Sequence, residues 1–390
     1  MGSALALLGA GLKRRYRSVG AIAFAVALLL ALAIAVGLPT GGAAGAAVAL
    51  ESALVVLGIG AALAAAASAG ALAEDHASGV HAWLAATRAP RALLRATPAV
   101  AGAVAAVATA LAAGAILVTL LLAKGLEVPT FRTTPLPFGE TGERVERGEL
   151  AIGPARRDDR FLESWVDGLG AFRGSTVTVE LDLRPRFRSP EAADVGSVPL
   201  AINDVPGTPD DVRARAPRVP VRGRATVSLP AGRRADLSSF DPRLDLRLVG
   251  ARRIDGPASF AANVLLAALL AGLALASLAP LAVLLSRGLS AATALTTTLV
   301  LGAVGVLHGP LLALAADAER VAGGGAGVAT AILRGAAFLS PDLSVVSRAS
   351  DAVEGHALDA GAFASLASPG FYALIAFALL AFVPARRSDV

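Results

Sequence analysis

Long apolar runs separated by short polar breaks make up the first and last thirds of the chain, whereas the middle third is polar. A helix that rises about 1.5 Å per residue needs about 20 apolar residues to cross about 30 Å of hydrocarbon. The runs that meet or approach this length are 19–38, 46–72, 99–123, 260–285, 289–315 and 371–383. The pattern therefore predicts a polytopic α-helical membrane protein of about six transmembrane helices, three on each side of the middle third.

The charges beside these runs predict the orientation. A basic cluster precedes the first run (Lys13, Arg14, Arg15 and Arg17), and Arg386 and Arg387 follow the last. Basic residues favour the cytoplasmic side, so both termini are expected in the cytoplasm of a bacterial cell (inner) membrane. A cleaved signal peptide is the alternative for the first run, but that run is long for a signal sequence and further apolar runs follow.

The polar middle third, 124–258, shows the period of a β-sheet. Apolar and polar residues alternate at 176–183, 225–229 and 244–249, and turn sequences containing proline and glycine separate these stretches. The pattern predicts an inserted β-rich, sandwich-like domain between the third and fourth helices. The parity of the crossings places it outside the cytoplasm, since the positive-inside rule is weak for so long a segment.

The last third, 259–390, contains helices four to six and an outer segment, 316–370. Within that segment Val328 to Leu339 is apolar but short and is interrupted by Arg334. Apolar segments of this length are typical of interfacial or re-entrant elements, and both interpretations stay open.

Composition narrows the function classes. Hydrophobic residues make up 55% of the 390 residues and cysteine is absent, which excludes disulfides, thiolate metal sites and cysteine nucleophiles. The net charge of +5 reflects an arginine-rich composition without a nucleic-acid-binding motif, so no nucleic-acid partner is expected. No Gly-x-x-x-x-Gly-Lys phosphate loop, catalytic constellation, cofactor motif or metal-ligand cluster occurs, and we predict a non-enzymatic chain without a cofactor.

Two ionisable residues lie inside the predicted helices, Glu51 and His308, and Asn263 is a polar companion near the start of the fourth. Polar and ionisable groups are costly in a bilayer, so each is a candidate for lining a pathway. An interfacial position that reaches water is the alternative, because all three lie toward the predicted outer ends. Pro280 and the sequence His308-Gly309-Pro310 should also loosen helices four and five, since proline removes a backbone donor.

The segment 73–98 between the second and third helices contains Glu74-Asp75, Gly79, Ala86-Thr87 and Arg91. These residues resemble the cytoplasmic coupling segment of type-2 ATP-binding-cassette (ABC) exporter permeases. The sequence departs from that pattern at Ala82 and Arg88, where glutamate and proline are usual. The stretches 259–263, 286–294 and 339–387 are also similar to the second half of such permeases, whereas the β-rich insert has no counterpart.

The resemblance implies a permease subunit that couples ATP hydrolysis by a separate ATPase to export. The residues expected to dock the ATPase are Glu74, Asp75, Gly79, Trp83, Leu84, Thr87 and Arg91. The implied partners are a cytoplasmic ABC ATPase, a second permease copy (identical or related) and membrane lipid, while the substrate is left open. A non-transporting anchor that presents the β-rich domain is the main alternative, and an intramembrane hydrolase using His308 is a more remote one.

Overall fold

A computed structural model gives the architecture of the chain. It describes residues 19–37, 43–70, 91–136, 138–139, 150–152, 156–157, 162–167, 169, 176–185, 197–202, 218–220, 224–230, 235–239, 244–321, 327–353, 355–358 and 360–382. These residues fall into two compact units. One is a β unit, Phe131–Pro257, and the other is a helical unit formed by the chain before and after it.

Apolar helices form most of the helical unit. They are α1 (Val19–Gly37), α2 (Ala43–Ala66), α3 (Arg91–Ala123), α4 (Phe260–Ala276), α5 (Leu278–Leu285), α6 (Ala291–Val306), α7 (His308–Val321), α8 (Val328–Leu339), α9 (Ala349–Val353), α10 (Ala360–Ala364) and α11 (Ala367–Phe382). Short 3₁₀ turns cover Ala67–Gly70 and Ser344–Arg348.

Four helical stretches of the described chain are long and apolar enough to cross a membrane. They are Gly45–Gly70, Ala96–Ala123, Phe260–Leu285 and Gly361–Ala381. The bent pair α6–α7 makes a fifth crossing if it counts as one span, whereas Ala21–Gly37 and Thr330–Leu339 are shorter apolar helices. The chain is thus a polytopic helical protein compatible with a membrane, as the hydropathy predicts, and the number six stays a prediction.

Several helix boundaries differ from the sequence prediction, most notably those of the third and last spans. Helix α3 begins at Arg91 instead of Ala99 and contains Pro98, because Arg91 to Ala96 are mostly good helix formers that extend the helix by two turns before the apolar run. The last span is also longer than the predicted 371–383, since helical structure already begins at Ala360. Its length therefore suffices to cross a bilayer.

The helix interruptions predicted near Pro280 and Pro310 are both present. The fourth span pauses at Ser277, where the ring of Pro280 would crowd the carbonyl of Ala276 in a regular helix. The fifth span bends by 61° between α6 and α7, next to Pro310. Pro310 offers no N–H to the carbonyl of Val306, so the regular helix cannot continue there.

The core of the helical unit consists of leucines and many alanines. Leu50 and Leu57 of α2 and Leu117 and Leu121 of α3 are fully buried. Lys124, one of only two lysines in the chain, donates from its Nζ to the carbonyl of Val36 at 3.2 Å. Its charge thereby satisfies a carbonyl at the C-terminal end of α1, where the helix dipole favours a cation.

Strands form the β unit. They are β1 (Phe131–Pro135), β2 (Phe138–Gly139), β3 (Leu150–Ile152), β4 (Arg156–Arg157), β5 (Leu162–Asp167), β6 (Thr176–Pro185), β7 (Ser197–Ile202), β8 (Arg218–Pro220), β9 (Arg224–Pro230), β10 (Ala235–Ser239) and β11 (Leu244–Pro257). The three stretches of alternating residues are confirmed as strands by β6, β9 and β11.

The strands form two sheets. One has the order β1-β11-β6-β9 and is antiparallel throughout, and the other has the order β2-β3-β5-β10-β7-β8, with β4 beside β5. Val177 and Val179 on β6 are fully buried, as the alternation predicts. Thr178 between them is also buried, because its hydroxyl donates to the carbonyl of Arg252 on β11 instead of facing water.

Candidate functional site

The predicted ATPase-docking segment lies largely outside the described residues. Glu74, Asp75, Gly79, Trp83, Leu84 and Thr87 are outside them, and Arg91 is the first residue of α3. What the structure does define is where the two ends of this segment lead. Helix α2 with its 3₁₀ turn ends at Gly70, and α3 begins at Arg91.

Helices α2, α3 and α4 pack closely where small residues face one another. A Cβ built on Gly114 of α3 would lie 2.7 Å from the Cβ of Ala268, and one on Gly272 of α4 would lie 2.8 Å from the Cβ of Ala110 and 3.2 Å from the Cα of Val107. Glycine is therefore needed at both positions for this approach. Small residues that bring backbones together are typical of helix contacts within membranes.

Ser68 joins the end of the second span to the fourth span. Its hydroxyl lies 2.6 Å from the carbonyl oxygen of Ala65 and 3.0 Å from that of Ala279, so the hydroxyl proton is shared between the two carbonyls in a bifurcated hydrogen bond. Ser68 is fully buried, and Gly102 of α3 packs against its Cβ. The cytoplasm-proximal ends of these three spans, in the predicted topology, are thus tied together directly.

Asn263, near the start of α4, is buried and bonds across to a distant part of the chain. Its Nδ2 donates to the carbonyl of His356 at 2.9 Å, and its Oδ1 accepts from the N–H of Leu358 at 2.8 Å. Only 3% of Asn263 is exposed. The side chain therefore pairs the carbonyl of His356 and the N–H of Leu358 inside the helical unit, a role that neither an interfacial position nor a pathway requires.

Residues 340–353 and 355–358, which we call the strap, contribute buried side chains to the interior of the helical unit. Leu343, Val345 and Ala352 are buried in the same apolar core as α2, α3 and α4. Gly355 has a left-handed φ of +80°, and a Cβ there would lie 2.3 Å from the carbonyl oxygen of Pro129. Glycine is thus required twice over at this position, for the backbone conformation and for the close approach.

The other end of the strap lies against the bend of the fifth span. The N–H of Leu343 donates to the carbonyl of Gly305 at 3.0 Å. A Cβ on Gly305 would lie 2.3 Å from the carbonyl oxygen of Pro341. The strap backbone therefore rests directly on α6, one turn before Pro310, and satisfies a carbonyl at the point where the helix is broken.

His308 is the first residue of α7 and follows the bend directly. The residue is partly exposed, but its Nδ1 is buried and has no hydrogen-bond partner within the described structure. Glu51 is exposed on α2. Among the described residues no hydrogen bond joins Glu51, Asn263 or His308 to one another, so a shared pathway lined by these three stays a prediction.

Helix α8 presents bulky apolar side chains outward. Ile332 and Phe338 are 63% and 77% exposed, whereas Thr330 and Ala337 are buried. The hydroxyl of Tyr372 on α11 donates to the carbonyl of Phe338 at 2.5 Å. This bond ties the C-terminal end of α8 to the last span.

The described part of the β unit carries an exposed charged cluster on the edge pair β1–β11. Arg253 Nε donates to Asp255 Oδ1 at 2.7 Å, and the hydroxyl of Thr134 donates to the other carboxylate oxygen. The Thr134 hydroxyl, with the Arg253 guanidinium, lowers the pKa of Asp255. Nowhere in the described ranges do three or more His, Asp or Glu side chains group as metal ligands would.

Comparisons with protein-family models, with curated proteins and with solved structures found no match to this chain. The resemblance to type-2 exporter permeases therefore depends on the residues quoted from the sequence.

Sequence reasoning missed the contacts that organise this region. Gly305 and Leu343 act through backbone groups, and the Tyr372 hydroxyl bonds to the backbone carbonyl of Phe338, so residue identity does not reveal these pairings. The glycine spacing at Gly102, Gly114 and Gly272 was a usable signal, because glycine in a membrane helix often marks a close helix contact. Ser259, whose hydroxyl accepts from the N–H of Ala262, is likewise an ordinary N-cap signal.

Proposed function

We propose that the chain is the membrane-spanning permease subunit of an ATP-driven ABC exporter. The observation that carries the proposal is the segment between the second and third spans, with Glu74-Asp75, Gly79, Thr87 and Arg91 in the order of a coupling segment. The ATPase is then a separate cytoplasmic subunit, and two permease halves form the working assembly.

The packing of the helical unit supports this proposal. The proposed coupling segment joins α2 to α3, which pack on each other and on α4 at Gly114 and Gly272. Because these contacts leave almost no free space, a displacement of the segment would move the three helices together. A force applied by an ATPase at this point would therefore reach the interior of the bundle.

We propose the six-span topology with both termini in the cytoplasm and the β unit outside. Two features support it: α1 is a continuous apolar helix after a basic cluster, and the last span reaches 21 residues. A helix that is 17 residues long in its apolar part can still cross when flanking basic side chains extend to the headgroups.

For α8 we propose a re-entrant position instead of an interfacial one. Its C-terminal carbonyl at Phe338 bonds to Tyr372, near the middle of the apolar stretch Gly361–Ala381. The residues that follow α8 contact Gly305 on α6. One turn earlier on α6, Gly302 packs on Leu278, which lies about 10 Å from the inner end of the fourth span. Both contacts support a position of the C-terminal end of α8 near the middle of the membrane.

Co-purification tests the proposed function. Tagged protein extracted in mild detergent should bring down a cassette ATPase, and Trp83→Ala or Arg91→Ala should weaken that capture. Thr296→Ala, on an exposed position of α6, is the matched control and should leave capture unchanged. Failure of the unmodified protein to capture any cassette ATPase would contradict the proposal.

Cysteine labelling tests the topology, because the chain contains no cysteine of its own. A cysteine replacing Ser3 should react with an impermeant maleimide only in permeabilised cells, and one replacing Ser238 should react in intact cells. A cysteine replacing Phe338 should resist the impermeant reagent in both if α8 is re-entrant. Ready labelling of Phe338→Cys from outside would instead support an interfacial helix.

A membrane anchor that presents the β unit is the second candidate, favoured by the compactness of Phe131–Pro257. The N–H of Ala258 donates to the carbonyl of Thr130 at 2.8 Å, so the ends of the insertion meet. The β unit can therefore be replaced by a short glycine linker. A transporter should keep ATPase capture after this deletion, whereas an anchor should lose all function.

A further inference from the structure

Glu51 is the one acidic residue within the candidate spans of the described chain, and it lies on an exposed face of α2. Between residues 45 and 66 the exposed residues are Val48, Glu51, Val55 and Ile59, and every other residue is partly or fully buried. Steps of three, four and four residues place these side chains on one face of a helix. The exposed face, which we call the stripe, is therefore a line of apolar side chains that contains one carboxyl group.

The carboxyl group lies toward the outer end of the stripe. Glu51 is about 9 Å from the start of the apolar helix Gly45–Gly70, which is the outer end of the span in the proposed topology. Helical side chains lean toward the N-terminus of their helix, so the carboxyl group leans toward the outer headgroups. Val55 and Ile59 continue the stripe about 12 Å beyond Glu51, toward the middle of the membrane.

The surroundings of Glu51 leave its carboxyl group accessible. A carboxyl group on the lipid-facing side of a span is costly, and ionisable residues in spans mark sites that bind a partner. Within the described ranges no group forms a hydrogen bond or an ion pair with Glu51. The group that compensates its charge should therefore come from a bound molecule.

Charge and shape together select the kind of molecule. A carboxylate favours a positively charged group, and the exposed Val55 and Ile59 favour a hydrocarbon chain. A second copy is a poor match, because a two-fold contact through the stripe would bring two Glu51 carboxylates together. We infer that the stripe binds a single-chain cationic amphiphile, with its ammonium head at Glu51 and its tail along Val55 and Ile59.

The orientation of this site bears on transport. A head at Glu51 and a tail toward Ile59 is how an amphiphile lies in the outer leaflet, so the stripe matches the side of release. That a cationic amphiphile is the exported substrate rests on the proposed function and its topology. Binding at the stripe does not.

Photoaffinity labelling of the full chain in dodecyl maltoside tests the site. The probe is decylammonium with a diazirine on its tail, and mass spectrometry of peptides locates the attached label. We expect label on α2 around Val55 and Ile59. Glu51→Gln should lower this labelling at least about fivefold, because the charge-assisted contact with the head is lost. Glu51→Asp keeps the charge and should retain most of the labelling.

Glu127→Gln is the matched control. Glu127 is also acidic and exposed, but it follows α3 and lies outside the stripe. Labelling of α2 should be the same in this variant as in the unmodified protein. If Glu127→Gln lowers the labelling as much as Glu51→Gln does, surface charge in general attracts the probe, and the proposal is wrong.

Competition on the unmodified protein keeps the test decisive if Glu51→Gln does not fold. Unlabelled decylammonium should displace the probe, whereas decanol, which lacks the charge, and ethylammonium, which lacks the tail, should not. Equal displacement by decanol would show that the probe merely partitions onto an apolar surface. Either that result or label spread evenly over the exposed helices would overturn the proposal.

Disulfide formation tests whether a second copy covers the stripe instead. Val55→Cys introduces the one cysteine of the chain, and two copies that meet at the stripe would bring these cysteines within bonding distance under mild oxidation. Val26→Cys, 50% exposed on α1, measures random collision. We expect Val55→Cys to form no more dimer than Val26→Cys. More dimer at Val55 would assign the stripe to a second copy and contradict the proposal.

The test of the stripe and the test of the proposed function fail separately. Photolabelling uses no ATPase, so a protein without labelled α2 can still capture a cassette ATPase. Conversely, a chain that captures no cassette ATPase can still bind decylammonium at Glu51.

Discussion

The helical unit and the β unit satisfy their polar groups in different ways. In the helical unit the described polar side chains bond mostly to backbone carbonyls and amides inside the protein, as Asn263 and Ser68 do. In the β unit the cluster of Thr134, Arg253 and Asp255 joins side chains to one another at an exposed edge.

This contrast predicts where a polar substitution should destabilise the protein. Where water is excluded, a lost partner leaves a backbone group without any hydrogen bond, and the full desolvation cost remains. At an exposed edge, water replaces the lost partner, so the cost is small. The contacts of Asn263 and Ser68 also use an amide and a hydroxyl, which do not titrate, whereas the β cluster contains a carboxylate.

The largest effect is expected for Asn263→Leu. The substitution keeps the approximate volume but removes the hydrogen bonds that Asn263 makes to the carbonyl of His356 and the N–H of Leu358 in the core. At about 1–3 kcal/mol for each lost buried partner, the loss should reach ~2 kcal/mol or more. Thermal unfolding in detergent, followed by the loss of the monodisperse peak in size-exclusion chromatography, measures the change.

Thr119→Leu controls for a polar-to-leucine change in a span. The Thr119 hydroxyl is exposed on α3 and donates only to the carbonyl of Ala115 in its own helix. Unfolding of this variant should match that of the unmodified protein. Equal unfolding temperatures for Asn263→Leu and Thr119→Leu would show that the hydrogen bonds of the Asn263 side chain do not stabilise the fold.

The part of the fold that hydropathy controls was predictable. A bilayer requires long apolar helices, and the runs at 46–72, 99–123 and 260–285 correspond to helices because the solvent imposes their length. The interruptions near Pro280 and Pro310 were predictable for an equally local reason, the missing proline N–H.

The role of Asn263 could not be predicted, because its partners lie more than 90 residues away and are backbone groups that every residue possesses. The strap is unpredictable for the same reason: 340–358 has no regular period, and its burial depends on helices distant in sequence. The docking residues Glu74 to Thr87 lie outside the described residues and stay a prediction from resemblance.

An intermediate effect is expected for Gly272→Val, which tests the packing of the helical unit instead of its hydrogen bonds. The added side chain would collide with Ala110 and with the backbone at Val107. Overpacking of this kind typically costs about 1–3 kcal/mol. The same thermal unfolding assay should show a clear loss of stability.

Gly58→Val is the matched control on α2, since a Cβ at Gly58 has no neighbour within 4 Å. Both variants place a β-branched residue in a helix, so their difference isolates the collision. If Gly58→Val destabilises the protein as much as Gly272→Val, the close contact of α3 and α4 is not what requires glycine.

The smallest effect is expected for Asp255→Asn in the β unit, and it should depend on pH. The hydroxyl of Thr134 and the guanidinium of Arg253 hold the pKa of Asp255 below its ordinary value of 3.8. A lowered pKa means that the folded state favours the charged form. This stability is present above the ordinary value and is lost as the pH falls through the folded pKa. At pH 7 the variant should lose the roughly 0.2–1 kcal/mol typical of exposed pairs.

Urea unfolding followed by the fluorescence of Trp165, in a Trp83→Phe background that leaves one tryptophan, measures this difference. The transitions of Asp255→Asn and its parent should be apart at pH 7 and should approach each other as the pH falls below 3.8 and through the folded pKa of Asp255. Thr134→Val should behave like Asp255→Asn, and Thr133→Val, one position earlier on the same strand, should not. A gap that persists unchanged at low pH would show that Asp255 acts through its shape and not its charge. The polar contacts of the β unit would then be as independent of charge as those of Asn263 and Ser68 in the helical unit.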